Sequence, residues 1–158
     1  MRTAICYVSR HGATERVARR LAELLGESDT RLFNLKNHPK PNLDEFDRVI
    51  VGAPIYAGVT LPEATAFCKR HEAQLLARPL GLYLCAMNEE QFETEFDRAY
   101  PEVLRRHARS VQVVGGAFDF KRMNFAERFI VRRVVGVKNS VERIRWEKVA
   151  TLAREMDR

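Results

Sequence analysis

Short apolar runs alternate with helical stripes along nearly the whole chain, and this alternation limits the fold more than any other feature. Thr3–Val8 (TAICYV) reads as a buried strand. Thr14–Leu25 carries Val17, Ala18, Leu21, Leu24 and Leu25 at the ~3.6-residue spacing of a helix face, and Gly26 stops it. Thr30–Asn34 is a short strand, and Lys36–Asn42, with Pro39 and Pro41, is a loop. Arg48–Ala53 is a strand that Pro54 is expected to end. Pro62 suits the first turn of a helix running to about Leu76. Pro79–Ala86 is a strand, and Phe92–His107 a helix in which Pro101 marks the first turn of a second segment. Ser110–Phe118 is the fifth strand. Arg145–Met156 closes the chain as a helix with Val149, Leu152, Ala153 and Met156 on one face.

Strands alternating with helices imply a parallel sheet covered on both faces. The expected fold is therefore α/β: a three-layer, doubly wound sheet of five parallel strands in the order 2-1-3-4-5. The 158 residues suit a single domain, 1–158, and no repeat, linker or low-complexity tract divides them.

Such sheets bind ligands beyond the carboxyl ends of their strands, where the winding reverses. Here that point lies between strands one and three, so the loops of interest are Ser9–Thr14 and Pro54–Thr60, with Met87–Gln91 beside them. In Ser9-Arg10-His11-Gly12-Ala13-Thr14 two hydroxyls flank a glycine at a strand-to-helix turn. Helix N-terminal N–H groups attract a dianionic phosphate, and hydroxyls add hydrogen bonds. The loop is neither a Walker loop nor a GxGxxG fingerprint. Thr14 and Glu15 would equally suit a plain helix cap. In the second loop, Pro54-Ile55-Tyr56-Ala57-Gly58, Tyr56 offers an aromatic face and the backbone offers donors, as a planar ring cofactor needs. Tyr56 would also serve as a loop anchor. Cys85-Ala86-Met87-Asn88 is placed to meet the other ring edge, without an aromatic residue of its own.

Other chemistries find little support. Hydrophobic residues make up 46% of the chain and charged residues 30%, which is ordinary for a globular domain. No apolar run approaches the ~20 residues of a membrane-spanning helix. No signal peptide is expected, so the reading is a cytoplasmic protein. Cys6, Cys68 and Cys85 are widely spaced, suit buried inert thiols, and form no metal-ligand set. A receiver domain would need carboxylates after strands one and three, where this chain has Ser9-Arg10-His11 and Ala53-Pro54. A low-molecular-weight tyrosine phosphatase would need Arg six positions after its Cys, and Cys6 is followed there by Gly12. His11 lies near the loop site, while His38, His71 and His107 read as surface residues.

The charge is uneven. Lys121–Lys148 holds nine Lys or Arg and three Glu, which accounts for the whole net charge of +6. Within it, Phe125, Phe129, Ile130, Val134 and Val137 suit one helical face, and Arg128, Arg132 and Arg133 another. A basic amphipathic helix of this kind can rest on an anionic membrane, giving peripheral contact at the inner face through 121–148. A helix docked on the sheet with a solvated basic side fits equally. No aromatic-basic motif supports nucleic acid as a partner.

With these loops in place, the chain resembles the flavodoxin superfamily over nearly its whole length. Within it, the chain is most similar to the menaquinone-dependent protoporphyrinogen IX dehydrogenases, through YVSRHGATERVARRLA, FDRVIVGAPIYAG, VVGGAFDFKRMNFAERFIVRRVV and WEKVATLAREM. The resemblance implies a flavodoxin-like fold, FMN as cofactor, a reduced tetrapyrrole as donor and a quinone as acceptor. It places FMN on Ser9, Arg10, His11, Gly12, Ala13 and Thr14, on Pro54, Ile55, Tyr56, Ala57 and Gly58, and on Cys85, Ala86, Met87 and Asn88. The chemistry would lie at the flavin, with no protein nucleophile. Only Met87–His107 fills the space where the family carries a long insertion, and Arg145 stands where an acidic residue often precedes Trp-Glu. The alternative function is a flavodoxin-type carrier between redox protein partners.

Overall fold

Five parallel strands stand at the centre of the fold, and the inner three are apolar towards both faces. The computed structural model describes residues 1–56, 58–87, 91–118, 124–134 and 141–158, with the backbone alone at Tyr56, Phe118, Ile130, Val131, Val134 and Val141. The strands are β1 (Thr3–Tyr7), β2 (Thr30–Asn34), β3 (Arg48–Tyr56), β4 (Val59–Thr60), β5 (Leu80–Cys85), β6 (Ser110–Val113), β7 (Ala117–Phe118) and β8 (Val141–Glu142). The helices are α1 (Ala13–Leu25), α2 (Pro62–Arg70), α3 (Glu72–Leu76), α4 (Phe92–Ala99), α5 (Glu102–His107), α6 (Phe125–Val134) and α7 (Trp146–Met156).

The main sheet runs β2-β1-β3-β5-β6, all parallel, and β4 folds back antiparallel on the end of β3. Counting parallel strands alone, this is the order 2-1-3-4-5. A separate pair, β7 and β8, is antiparallel. Alternation along each strand divides the core in two. Ile5, Tyr7, Ile50 and Tyr83 pack with Val17 and Leu21 of α1 and Val149, Leu152 and Met156 of α7. Ala4, Cys6, Val49, Val51, Leu82 and Leu84 pack with Phe67, Leu75, Phe96 and Leu104 from the helices of the opposite layer.

Three departures from the sequence reading have local causes. β3 does not end at Pro54 but runs on to Tyr56. The Gly52 carbonyl points towards β1, where it accepts from Val8 N, so Pro54, two residues on, faces the same side beyond the last β1 pair. A missing N–H there breaks no ladder. The helix expected over Pro62–Leu76 is split at His71, which is buried rather than at the surface. Its ring stacks on Phe67 with centroids 4.5 Å apart, and burial holds its pKa below the usual imidazole value. His38 and His107 are exposed, as expected. The fifth parallel strand stops at Val113, because Gly115 (φ 74) turns the chain off the sheet towards β7.

Two buried tyrosines tie the layers at the carboxyl end of the sheet. Tyr100 Oη donates to the Tyr83 carbonyl at 2.6 Å. Tyr83 Oη donates to the carbonyl of Thr14, in the first turn of α1, at 2.9 Å. The Tyr83 ring reaches α1 only because residue 52 is glycine: a Cβ at Gly52 would lie 1.9 Å from Tyr83 Cζ.

Candidate functional site

The turn from β1 into α1 is built by one glycine and one hydroxyl. Gly12 is left-handed (φ 96) and occupies the N-cap, and Arg16 N makes the first helical bond to its carbonyl at 3.0 Å. Gly12 N donates to Ser9 Oγ at 3.0 Å, which folds the loop over itself. No side chain caps the helix, so the plain-cap reading of Thr14 does not hold. Thr14 lies inside the first turn, and its Oγ1 is buried, with no hydrogen-bond partner among the described residues beyond the weak contact of the Cys85 thiol. The first-turn N–H groups of α1 have no intrahelical acceptors, as at any helix start. A buried hydroxyl and several backbone donors thus converge where a small anion would satisfy them.

The three loops meet at this point. Ser9, Arg10, His11, Ala13 and Thr14 line a cleft with Pro54 and Ile55 from β3 and with Cys85 and Met87 from the end of β5. The cleft is narrow, with a cavity volume of about 30 Å³, far short of a ring system. Burial pushes the Cys85 thiol up to about 12, against a weaker pull from the Thr14 hydroxyl, so this sulfur is an inert wall. Burial likewise raises Cys6, and raises Cys68 to about 12. Gly12 contributes backbone to the loop, Gly58 (φ 77) turns β3 into β4 outside the cleft, and Ala86 lines a neighbouring cavity. The Tyr56 backbone pairs with Val59. The Tyr56 side chain, Ala57 and Asn88 lie outside the described residues.

Gly116 and Ala117 complete the cleft, and Glu127 pairs with two residues of its wall. Glu127 Oε2 lies 2.9 Å from His11 Nε2 and 3.2 Å from Arg10 Nε. Asn124 Oδ1 caps α6 by accepting from Glu127 N at 2.8 Å. The Asn124-x-x-Glu127 spacing is a helix-start signal, yet nothing local says that the carboxylate faces residues over a hundred positions earlier. A second acid of the basic segment, Glu142, pairs with Arg16 of α1 at 2.5 Å.

With Glu127 turned to the loop, the opposite stripe of α6 faces outwards. Phe125 is 85% exposed and Phe129 54% exposed, alongside exposed Arg132 and Arg133. The separation of apolar and basic faces expected for this helix therefore fails: Phe125 and Phe129 share a stripe with arginines, and Arg133 Cζ sits 5.4 Å from the Phe129 ring centre. Val137 and the side chains of Ile130 and Val134 lie outside the described residues. Among the described residues, no helix is long and apolar enough to cross a membrane, and no His/Cys/Asp/Glu group is placed to hold a metal ion.

Residues 4–142 match the flavodoxin domain family. The chain belongs to that family. It is 26% identical over 172 residues to the protoporphyrinogen IX dehydrogenase [quinone] of Escherichia coli strain K12, covering 99% of this chain and 94% of that protein. Among solved structures, it is similar to a short-chain flavodoxin associated with a non-canonical PDU bacterial microcompartment. That match has 15% identity and a TM-score of 0.60, over 99% of this chain and 97% of the other. It is also similar to the Fusobacterium nucleatum flavodoxin bound to flavin mononucleotide, with 20% identity and a TM-score of 0.53, over 75% of this chain and 72% of that one. The flavodoxin-like fold follows from the sheet order and from these neighbours together.

Proposed function

We propose that this protein is an FMN-dependent oxidoreductase that draws electrons from a reduced tetrapyrrole and delivers them to a quinone. FMN is its cofactor. The observation that supports this site is the buried Thr14 hydroxyl at the N-terminus of α1, met only by the Cys85 thiol among the described residues, at the switch point between β1 and β3. The residues fit the cofactor's phosphate end: backbone N–H groups of the Gly12–Thr14 turn and the Thr14 hydroxyl bind it, with Ser9 shaping the loop, Arg10 adding positive charge nearby and His11 beside it. Backbone groups of Pro54–Gly58 and of Cys85–Asn88 are assigned to the ring's edges, with Tyr56 as its aromatic neighbour. Bound FMN supplies electron uptake and release in one- or two-electron steps. The chain's own part is to bind and orient it, and the buried thiols take no share in the chemistry.

The tetrapyrrole and quinone assignments rest on similarity along nearly the full chain to the Escherichia coli dehydrogenase. The outward Phe/Arg stripe of α6 favours contact with an anionic bilayer, where a lipid quinone is reached. The second reading, a carrier between redox proteins, is favoured by the flavodoxin structures that share the fold. Anaerobic assay of the FMN-loaded protein with protoporphyrinogen IX and a soluble menaquinone analogue separates the two. Catalytic porphyrin formation is expected. A flavin that a flavodoxin reductase reduces, but that protoporphyrinogen leaves oxidised, would establish the carrier instead.

A further inference from the structure

A second cavity, of about 280 Å³, opens beside the flavin cleft and shares Met87 as a wall. Its other lining residues among those described are Ala86, Phe92, Gly115, Arg143 and Arg145.

The two arginines are built into this place. Arg143 N donates to the Gly116 carbonyl and Arg145 N to the Val114 carbonyl, both at 2.7 Å, so the 143–145 segment runs extended against the end of β6. Ile144, between them, is buried in the core with α1 and α7. In extended backbone, neighbouring side chains point to opposite sides, so Arg143 and Arg145 both leave on the side away from that core. The crossing is close: a Cβ on Gly115 would lie 2.0 Å from the Arg143 carbonyl oxygen. Phe92 adds a flat wall, with Arg145 Cζ 5.6 Å from its ring centre. Among the described residues no carboxylate pairs with the Arg143 guanidinium.

Two guanidinium groups on one concave wall focus positive potential into it. Their planar donor forks match carboxylates in bidentate geometry. Phe92 and Met87 supply an apolar surface beside those forks. At about 280 Å³ the cavity falls just below the ~300–1,000 Å³ range of whole ligand sites, so it takes one end of a larger molecule. The shared Met87 wall directs the rest of that molecule towards the flavin loops.

We propose that this cavity is the acid-binding subsite for the substrate: Arg143 and Arg145 grip carboxylate arms of an apolar, ring-bearing molecule whose body packs on Phe92 and Met87. The proposal rests on the reading of the chain as an FMN-dependent oxidoreductase and names what selects its substrate. Protoporphyrinogen fits this chemistry, as an apolar macrocycle with two propionate arms.

The test is an absorbance titration of the FMN-loaded full-length protein with protoporphyrin IX, and separately with its dimethyl ester. The diacid should bind the unaltered protein. Arg143→Gln and Arg145→Gln should each weaken it about tenfold or more, as expected for a lost charged hydrogen bond, while Arg→Lys at either position recovers part of the loss. The dimethyl ester should bind the unaltered protein no better than the diacid binds the double Gln variant. FMN affinity, followed by flavin fluorescence quenching, should stay the same in every variant, which also shows that they fold. Equal binding of ester and diacid, or diacid binding unaffected by the double variant, overturns the subsite. Failure of the functional reading is a separate result: no porphyrin formation by the unaltered protein, even though diacid binding still depends on both arginines.

Discussion

Two regions approach the proposed flavin cleft, and they are held in opposite ways. The Ser9–Thr14 turn is fixed from below by buried groups: Gly52 admits the Tyr83 ring, Tyr83 holds the first turn of α1, and Tyr100 holds Tyr83. The excursion through α6 approaches from above, and its described polar ties to the turn and to α1 are the ion pairs of Glu127 and Glu142. Partly exposed ion pairs contribute only ~0–1 kcal/mol each and weaken with salt. A loop anchored in the core is preorganised for its ligand, whereas a segment hung on ion pairs can be lifted at small cost. On this comparison the Ser9–Thr14 turn, the proposed phosphate end, is expected to be the rigid half and α6 the adjustable half.

The harshest challenge to the rigid half is Gly12→Asp. It forces a side chain into the left-handed region and sets a carboxylate where the phosphate should bind. Like charges brought together in a binding site cost several kcal/mol, so FMN affinity should fall by ~100-fold or more. Flavin fluorescence titration measures it, and an unchanged affinity would remove the phosphate from this loop. Next comes Gly52→Ala, which tests whether the support from below matters. Its Cβ overlaps the Tyr83 ring, and overpacking of a buried site costs ~1–3 kcal/mol. A lower melting temperature should appear together with weaker FMN binding, although residue 52 is assigned no contact with the cofactor.

These two glycines also mark how far the sequence could be read. Gly12 announces its role locally, in a hydroxyl-flanked turn after an apolar strand. The strand order was legible for a similar reason, since residues apolar on both faces require a covered parallel sheet. Gly52 sits inside a strand, and its meaning depends on Tyr83, its partner across the sheet in β5. Glu127 counted in the sequence only as one acid of a basic segment, and nothing there marked it as a partner of His11 and Arg10. His71 looked like any solvated histidine until Phe67 covered it. In each missed case the decisive neighbour is set by packing between elements, which local patterns do not encode.

On the adjustable half, Phe125→Ser should weaken binding to vesicles containing anionic lipid by roughly tenfold or more, because burying a phenylalanine is worth ~1.5–3 kcal/mol and Phe125 now stands in solvent. Co-sedimentation measures this. Equal binding by the variant, or no binding by the unaltered protein, would free α6 for a protein partner instead.

The smallest expected effect discriminates best between the two halves. Glu127→Gln keeps the shape of the side chain but removes the charge that His11 and Arg10 share. The loss should be ~0.5–1 kcal/mol, the scale of a partly exposed pair. Hydrogen exchange at α6 amides should then quicken by a few-fold, while amides of β1 and the first turns of α1 stay as protected as before. Added salt should reproduce the change in the unaltered protein and have little further effect in the variant. If β1 and α1 loosened along with α6, the phosphate turn would depend on the excursion above it, and the division between a core-built half and an ion-paired half would fail. If neither region responded, contacts of α6 other than these ion pairs would hold it in place.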